Sequence, residues 1–291
     1  MNNKILIIGG GRIGQSLKNA LNKSKPTIWD IDPKVSDSEK SLEDETKNKD
    51  FIFLCLPTIA IAQTLVKIKS NLQKETIVIC ISKGLNEKNK FTYEILQNEL
   101  IDTNWGILAG PLMAEEINNN QPTVAVLALK NPKQFQKAKD LFSTSPIKII
   151  HSNDLRGLSM AGALKNVYAL FLGMVDEADF SNNLKAYFIT KSLREIKIIS
   201  QMYKAKQTTI SSLAGLADLI VTVISPHSLD FKTGQEIIKG KKNVNSEGLK
   251  SILILDKKIK NKSNLPLFET TIKIIKEPKN AQSLIENLLP R

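Results

Sequence analysis

Three groups of residues in this chain have types and spacings that could do chemistry. The first is Gly9-Gly10-Gly11-Arg12-Ile13-Gly14, a GxGxxG spacing that directly follows the apolar run 5–8 and opens a segment whose apolar positions Ile13, Leu17, Ala20 and Leu21 recur at helical spacing. A tight glycine turn between a strand and a helix lets backbone N–H groups approach a pyrophosphate, and the helix N-terminus adds partial positive charge. The second is Asp30, 16 residues beyond Gly14 at the end of the next apolar run. A carboxylate there accepts hydrogen bonds from an adenosine ribose and repels a 2′-phosphate, which favours NAD over NADP; Arg12, able to meet a phosphate, pulls weakly the other way. The third is a pair of isolated charges. Lys165 is the only charged residue between Gly157 and Val175, and Asp218 the only one between Gln207 and Leu229. An unpaired buried charge is costly, so each needs a partner, and the simplest arrangement pairs the two. Such a pair is either a buried salt bridge between helices or a lysine that gives and takes a proton as hydride moves.

The elements that must position these groups follow from periodicity. Short β-branched runs at 4–8, 27–30, 51–56, 76–81, 106–109, 123–128 and 147–150 alternate with helical patterns at 12–23, 59–70, 88–100 and 132–142. This predicts an α/β, Rossmann-type doubly wound parallel sheet. After His151 the strand signal stops and the rest reads as helices joined by polar turns, so the expected domains are 1–150 for dinucleotide binding and 151–291 for a helical substrate and catalytic domain. The charged stretch 36–49 is expected to be a solvated helix or loop. Ligands of open α/β sheets bind beyond the carboxyl ends of the strands. The residues there are Leu56-Pro57-Thr58, Ser82-Lys83-Gly84 and Ala109-Gly110-Pro111, and Lys83 stands where a substrate oxygen would arrive or is an exposed turn lysine.

Composition narrows the class. With 291 residues, 42% of them hydrophobic and 24% charged, the chain can bury a sizeable core, which excludes a disordered or fibrous protein. The net charge of +12 comes almost wholly from scattered lysines, with Arg12, Arg156, Arg194 and Arg291 the only arginines, so it reads as a solvated basic surface and not as a nucleic-acid site. Cys55 and Cys80 lie in apolar runs without metal-ligand or redox spacing, so no metal is expected and a reduced, cytoplasmic setting is the simplest inference. The run 5–8 is too short for a signal-peptide core, and 51–62, the longest later apolar stretch, is broken by Pro57 and falls short of a membrane span; a soluble chain without membrane insertion is expected.

Several motifs carry a resemblance to the NAD(P)-dependent glycerol-3-phosphate dehydrogenases over nearly the full length. Ser82-Lys83-Gly84-Leu85 matches the family's SKGL, and Ala109-Gly110-Pro111-Leu112-Met113-Ala114-Glu115-Glu116 is similar to SGPxxAEE. Gly162-Ala163-Leu164-Lys165-Asn166-Val167 reproduces GALKNV, the most specific of the set; Leu213-Ala214-Gly215-Leu216-Ala217-Asp218-Leu219 is similar to LAGLGDL, followed by Thr222, and Glu247-Gly248 resembles the EG that begins the next helical segment. The resemblance implies reversible hydride transfer between NAD(H) and the dihydroxyacetone phosphate/glycerol 3-phosphate pair. It implies Lys165 as proton donor to the ketone oxygen, Asp218 as the group that positions it, and Lys83, Asn166 and Thr222 as the lining of the substrate site. On the cofactor side it implies Gly9, Gly11, Arg12, Ile13, Gly14 and Asp30, with Pro57 and Glu247.

Four features depart from the family pattern. Ile13 stands in place of a tryptophan, Ala109 replaces a serine, and 33–49 is short and lacks the Tyr-Leu-Pro loop. Where the family carries an Arg-Asn pair that binds phosphate, an ungapped count gives Leu229-Asp230, which cannot bind phosphate as a guanidinium does. Lys232 or His227 are candidate replacements. A reductase of another small keto or hydroxy compound, or an NAD-binding regulatory protein with weakened catalysis, are therefore the alternative readings. A homodimer is compatible with the sequence but not dictated by it.

Overall fold

The computed structural model describes residues 3–290, which divide into two compact units. One runs to Ser82 and resumes over Lys90–Ser159; the other comprises Lys83–Asn89 and the chain from Met160 onward. The change of unit thus falls nine residues later than the expected 150/151 boundary, inside a helix, and the SKGL segment from Lys83 belongs with the helices.

The first unit is built on seven strands: β1 (Ile5–Ile8), β2 (Thr27–Trp29), β3 (Phe51–Leu54), β4 (Ile77–Cys80), β5 (Asn104–Ala109), β6 (Thr123–Leu129) and β7 (Ile147–Ser152). All seven expected strands form, in the spatial order β2-β1-β3-β4-β5-β6-β7. β1, β3 and β4 are buried along their whole length, as continuous apolar runs in a sheet covered on both faces must be. The Rossmann-type sheet departs from all-parallel at one pair. β6 runs antiparallel to β5, pairing Ala109 with Val126, and β7 is parallel to β6, so the sheet is mixed. A parallel crossover is usually carried by a full helix. The β5–β6 connection holds only a five-residue helix absent from the sequence reading, and Thr123 Oγ1 closes it by donating to the Pro111 carbonyl at 2.6 Å.

The helices of this unit are α1 (Arg12–Ala20), α2 (Leu42–Glu45), α3 (Thr58–Ile68), α4 (Thr92–Glu99), α5 (Ala114–Asn118) and α6 (Pro132–Phe142). Leu17 and Ala20 of α1, with Ala138, Leu141 and Phe142 of α6, join Ile7, Phe53, Ile79 and Leu127 of the strands in one core. The stretch 36–49 is less solvated than its charge suggests. Asp37 accepts the Ile28 N–H and pairs with Lys18, and the buried Glu45 of α2 takes hydrogen bonds from Ser38 and Lys49.

The remaining helices are α7 (Leu155–Glu177), α8 (Asn182–Met202), α9 (Gln207–Ile210), α10 (Asp218–Ile224), α11 (Leu229–Ile238), α12 (Glu247–Lys258), α13 (Pro266–Lys276) and α14 (Ala281–Glu286), with a π-helical turn over Leu213–Ala217. Two stretches, Leu155–Glu177 and Gln207–Ile224, are long and apolar enough by length and composition to cross a membrane, so 51–62 is not the longest apolar stretch; the apolar window of the first is wholly buried. Phe171 of α7 meets Phe188 of α8 edge to face at 5.4 Å. Gly173 of α7 and Gly234 of α11 let the two helices touch backbone to backbone: a Cβ on Gly234 would stand 2.0 Å from the Leu170 carbonyl oxygen.

Candidate active site

The glycine turn forms as the spacing predicts. Gly9 leaves β1 at φ +108°, and a Cβ on it would stand 2.4 Å from the Cys55 carbonyl oxygen; one on Gly14 would stand 1.9 Å from the Gly9 carbonyl oxygen. The turn therefore closes only with glycine at both positions. A Cβ on Gly11 would meet nothing within 4 Å, so the approach to the turn is open. Gly11 also has no side chain to cap α1, and this leaves the first-turn N–H groups of Arg12, Ile13 and Gly14 for an outside acceptor. The turn lies where the strand order reverses, with β1 between β2 and β3, the usual place for a dinucleotide. These features fit a pyrophosphate.

Asp30 follows β2 directly, and its carboxylate is held by two backbone groups, Gly10 N–H to Oδ2 at 2.6 Å and Asp32 N–H to Oδ1 at 2.9 Å. A carboxylate has about four acceptor sites, which leaves room for ribose hydroxyls. Arg12, expected as a residue able to meet a phosphate, holds its guanidinium against Glu115. Ile13 packs against the core, so its contribution to an anion is its N–H, and Pro57 is the exposed residue at which α3 begins.

In the second unit, Lys165 and Asp218 meet. The Lys165 ammonium lies 3.0 Å from Asp218 Oδ1 and donates to Thr222 Oγ1 at 2.6 Å, and the Thr222 hydroxyl donates to the Asp218 carbonyl at 2.6 Å. All three residues are buried. The expected pairing is incomplete, however, because the Lys83 ammonium lies 2.6 Å from the other oxygen, Asp218 Oδ2. One carboxylate holds two lysines. Lys83 is not the exposed turn lysine of the alternative reading. Burial pulls its pKa down to about 8, against the opposing pull of Asp218. Gly162 makes room for it: a Cβ there would stand 3.0 Å from Lys83 Cγ. Asn166 donates from Nδ2 to the Lys83 carbonyl at 3.2 Å, so the residue that follows Lys165 fixes the backbone of the SKGL segment's lysine. Glu247, half-buried, is the first residue of α12.

Asp230 is a buried group whose position sequence reasoning missed. It is 8% exposed, in the first turn of α11, and Lys83 and Lys165 both attract its carboxylate. The available signal was the lack of a basic residue three or four positions away on the same helix, which sends a buried carboxylate elsewhere for a partner.

A glycine cradle on a doubly wound sheet, followed by a helical unit with a buried two-lysine, one-aspartate cluster, defines a nicotinamide-dinucleotide-dependent dehydrogenase. Known proteins narrow this class. The NAD-dependent glycerol-3-phosphate dehydrogenase N-terminus matches residues 31–135 and the corresponding C-terminus residues 154–286. A glycerol-3-phosphate dehydrogenase [NAD(P)+] of Clostridium botulinum is 30% identical, with 99% of this chain and 97% of that protein covered; the one of Phytoplasma mali is 31% identical with the same coverage. The crystal structure of glycerol-3-phosphate dehydrogenase from Coxiella burnetii shares the fold, with a TM-score of 0.89 at 22% identity over 99% of both chains. The chain belongs to the NAD-dependent glycerol-3-phosphate dehydrogenase family.

Proposed function

We propose that the chain catalyses the reversible, NAD-dependent interconversion of glycerol 3-phosphate and dihydroxyacetone phosphate. The observation that carries this reading is the Asp218 carboxylate bridging Lys165 and Lys83 in the buried cluster, reached through the family's SKGL and GALKNV segments. A dinucleotide held on the Gly9–Gly14 turn supplies and accepts the hydride. The Asp30 carboxylate, fixed by Gly10 and Asp32, supports NAD over NADP.

Reduction of a ketone requires a proton at its oxygen, and Lys165 supplies it; in the oxidation direction the same amine takes the hydroxyl proton. Thr222 and Asp218 hold the Lys165 ammonium in one orientation through Oγ1 and Oδ1. Lys83, with its pKa drawn down to about 8, is a second cation for substrate oxygens. The buried charges themselves speak for catalysis, because a scaffold replaces a buried ion pair with apolar residues at little cost. The unbridged Cys55 and Cys80 support a cytoplasmic setting.

The test is spectrophotometric: oxidation of NADH with dihydroxyacetone phosphate beside dihydroxyacetone and small 2-keto acids. Turnover of the phosphorylated ketone with the highest kcat/KM is expected. Preference for an unphosphorylated compound would assign a different substrate.

A further inference from the structure

The helical unit holds a cavity that shares no residue with the Lys83, Lys165 and Asp218 cluster. Tyr187, Phe188, Lys191, Arg194 and Glu195 line it from α8, and because they recur at one-turn spacing they stand on a single face of that helix. Pro266 and Leu267 at the start of α13, with Leu288 beyond α14, add apolar lining. The volume is about 220 Å³. An apolar cavity of about 150 Å³ holds a six-carbon ring, so this one has room for a body of about eight or nine carbon atoms.

The cations of this cavity lack carboxylate partners. Arg194 is exposed, and among the described residues its guanidinium makes no ion pair or hydrogen bond. The half-buried Lys191 has for its ammonium the face of the Tyr187 ring, 5.1 Å to the centroid. The other described arginines are engaged: Arg12 pairs with Glu115, and Arg156 lies 5.1 Å over the Tyr93 ring. A guanidinium presents a planar fork that matches a carboxylate with two parallel hydrogen bonds, which a lysine cannot do. Glu195, 3% exposed, does not serve as that carboxylate. Its Oε1 accepts the Leu267 N–H at 2.7 Å, and its Oε2 accepts the Phe268 N–H at 3.0 Å and the Tyr168 hydroxyl at 2.9 Å. Two cations and one carboxylate leave the lining with one net positive charge. A pocket that is largely apolar, with a few convergent polar groups of one sign, selects a ligand of the same division and the opposite charge.

We propose that this cavity is a second small-molecule site, which takes a monoanionic carboxylate on an apolar body of about eight or nine carbon atoms. The carboxylate lies on Arg194 and Lys191, and the body lies against Phe188, Leu267 and Leu288. An alkyl chain and an aryl-substituted chain share this chemistry. The single net charge of the lining suits a carboxylate better than a phosphate dianion. The site is separate from the proton-transfer cluster, so its occupancy does not depend on which ketone the protein reduces.

Isothermal titration of the full chain near neutral pH tests this, with octanoate and 3-phenylpropionate as the two probes. A ligand of about ten non-hydrogen atoms should bind one per chain with a Kd of about 1 mM or tighter. Octanol, which lacks the charge, and acetate, which lacks the body, should each bind at least about tenfold more weakly than octanoate. Arg194→Ala should weaken octanoate about tenfold; the residue is exposed and unpaired, so the fold stays intact, as circular dichroism verifies. Leu288→Trp, which fills the cavity, should abolish binding, whereas Lys165→Ala should leave the Kd unchanged. Tighter binding of either probe supports the site and assigns the alkyl or the aryl body to it. Absence of saturable binding of both probes up to about 10 mM overturns the proposal. So does octanol binding as tightly as octanoate, or an unaltered Kd in both Arg194→Ala and Leu288→Trp. Binding lost in folded Lys165→Ala and kept in Arg194→Ala would place the carboxylate in the catalytic cluster, and that too overturns it.

Discussion

Replacing Asp218 by asparagine removes one charge from a site that uses it twice. The Asp218 oxygens lie 3.0 Å from the Lys165 ammonium and 2.6 Å from that of Lys83, and the residue is 1% exposed. At an effective dielectric constant of about 20, each contact represents about 6 kcal/mol of gross attraction, most of which offsets the desolvation of the charges. The net cost of leaving buried ammonium groups without their carboxylate is about 3–5 kcal/mol. That cost has a pH signature. Lys83 already ionises at about 8, below its ordinary 10.5, so it makes the parent more stable as pH rises from about 8 towards 10.5. Without Asp218, the largest influence holding that value up is gone and the window opens at lower pH. The stability deficit of Asp218→Asn should therefore shrink as pH rises towards about 8. Guanidinium unfolding monitored at pH 6, 7, 8 and 9 measures it, and turnover should fall at least about 100-fold because Lys165 loses its orientation. A variant within about 1 kcal/mol of the parent at every pH would refute the idea that this carboxylate holds both lysines.

Three further outcomes follow from the same geometry. Lys165→Ala should still bind NADH yet lose about 10²–10⁴-fold in turnover; a folded variant with near-parental kcat would remove Lys165 from the proton transfer. Asp30→Ala should weaken NADH binding and narrow its advantage over NADPH, measured by fluorescence titration, and tighter NADPH binding by the parent would overturn the role given to Asp30. Glu195 is buried, accepts the Leu267 and Phe268 N–H groups and the Tyr168 hydroxyl, and burial raises its pKa to about 6 from the ordinary 4.5. The folded state thus binds the extra proton, so stability should fall by about 2 kcal/mol as pH rises from about 4.5 to 6. Glu195→Gln should flatten that slope, and an unchanged slope in denaturant titrations would show that another group carries it.

Much of this protein was legible in the order of its residues, wherever the physics is local. A strand, a glycine turn and a helix are contiguous in the chain, so GxGxxG after an apolar run specified the cradle, and short β-branched runs and 3.6-residue patterns specified seven strands and a helical C-terminal half. The cost of burying an isolated charge is also a sequence-level fact, and it singled out Lys165 and Asp218 before any contact was known. What the tertiary structure decided was partnership and direction. A short β-branched run reads the same in a parallel and an antiparallel strand, so the reversal of β6 was decided only by folding. Isolated charges say that a partner is needed but not how many: Lys83, 135 residues from Asp218, joined the pair only through folding. Arg12 sits in the cradle's own motif, yet its guanidinium is taken by Glu115, an ion pair that no spacing announces. Asp230, read in sequence as a missing phosphate ligand, became a buried neighbour of both lysines because Gly173 and Gly234 allow α7 and α11 to pack backbone to backbone. Charge strength is set by surroundings, and surroundings are assembled from residues far apart in the chain.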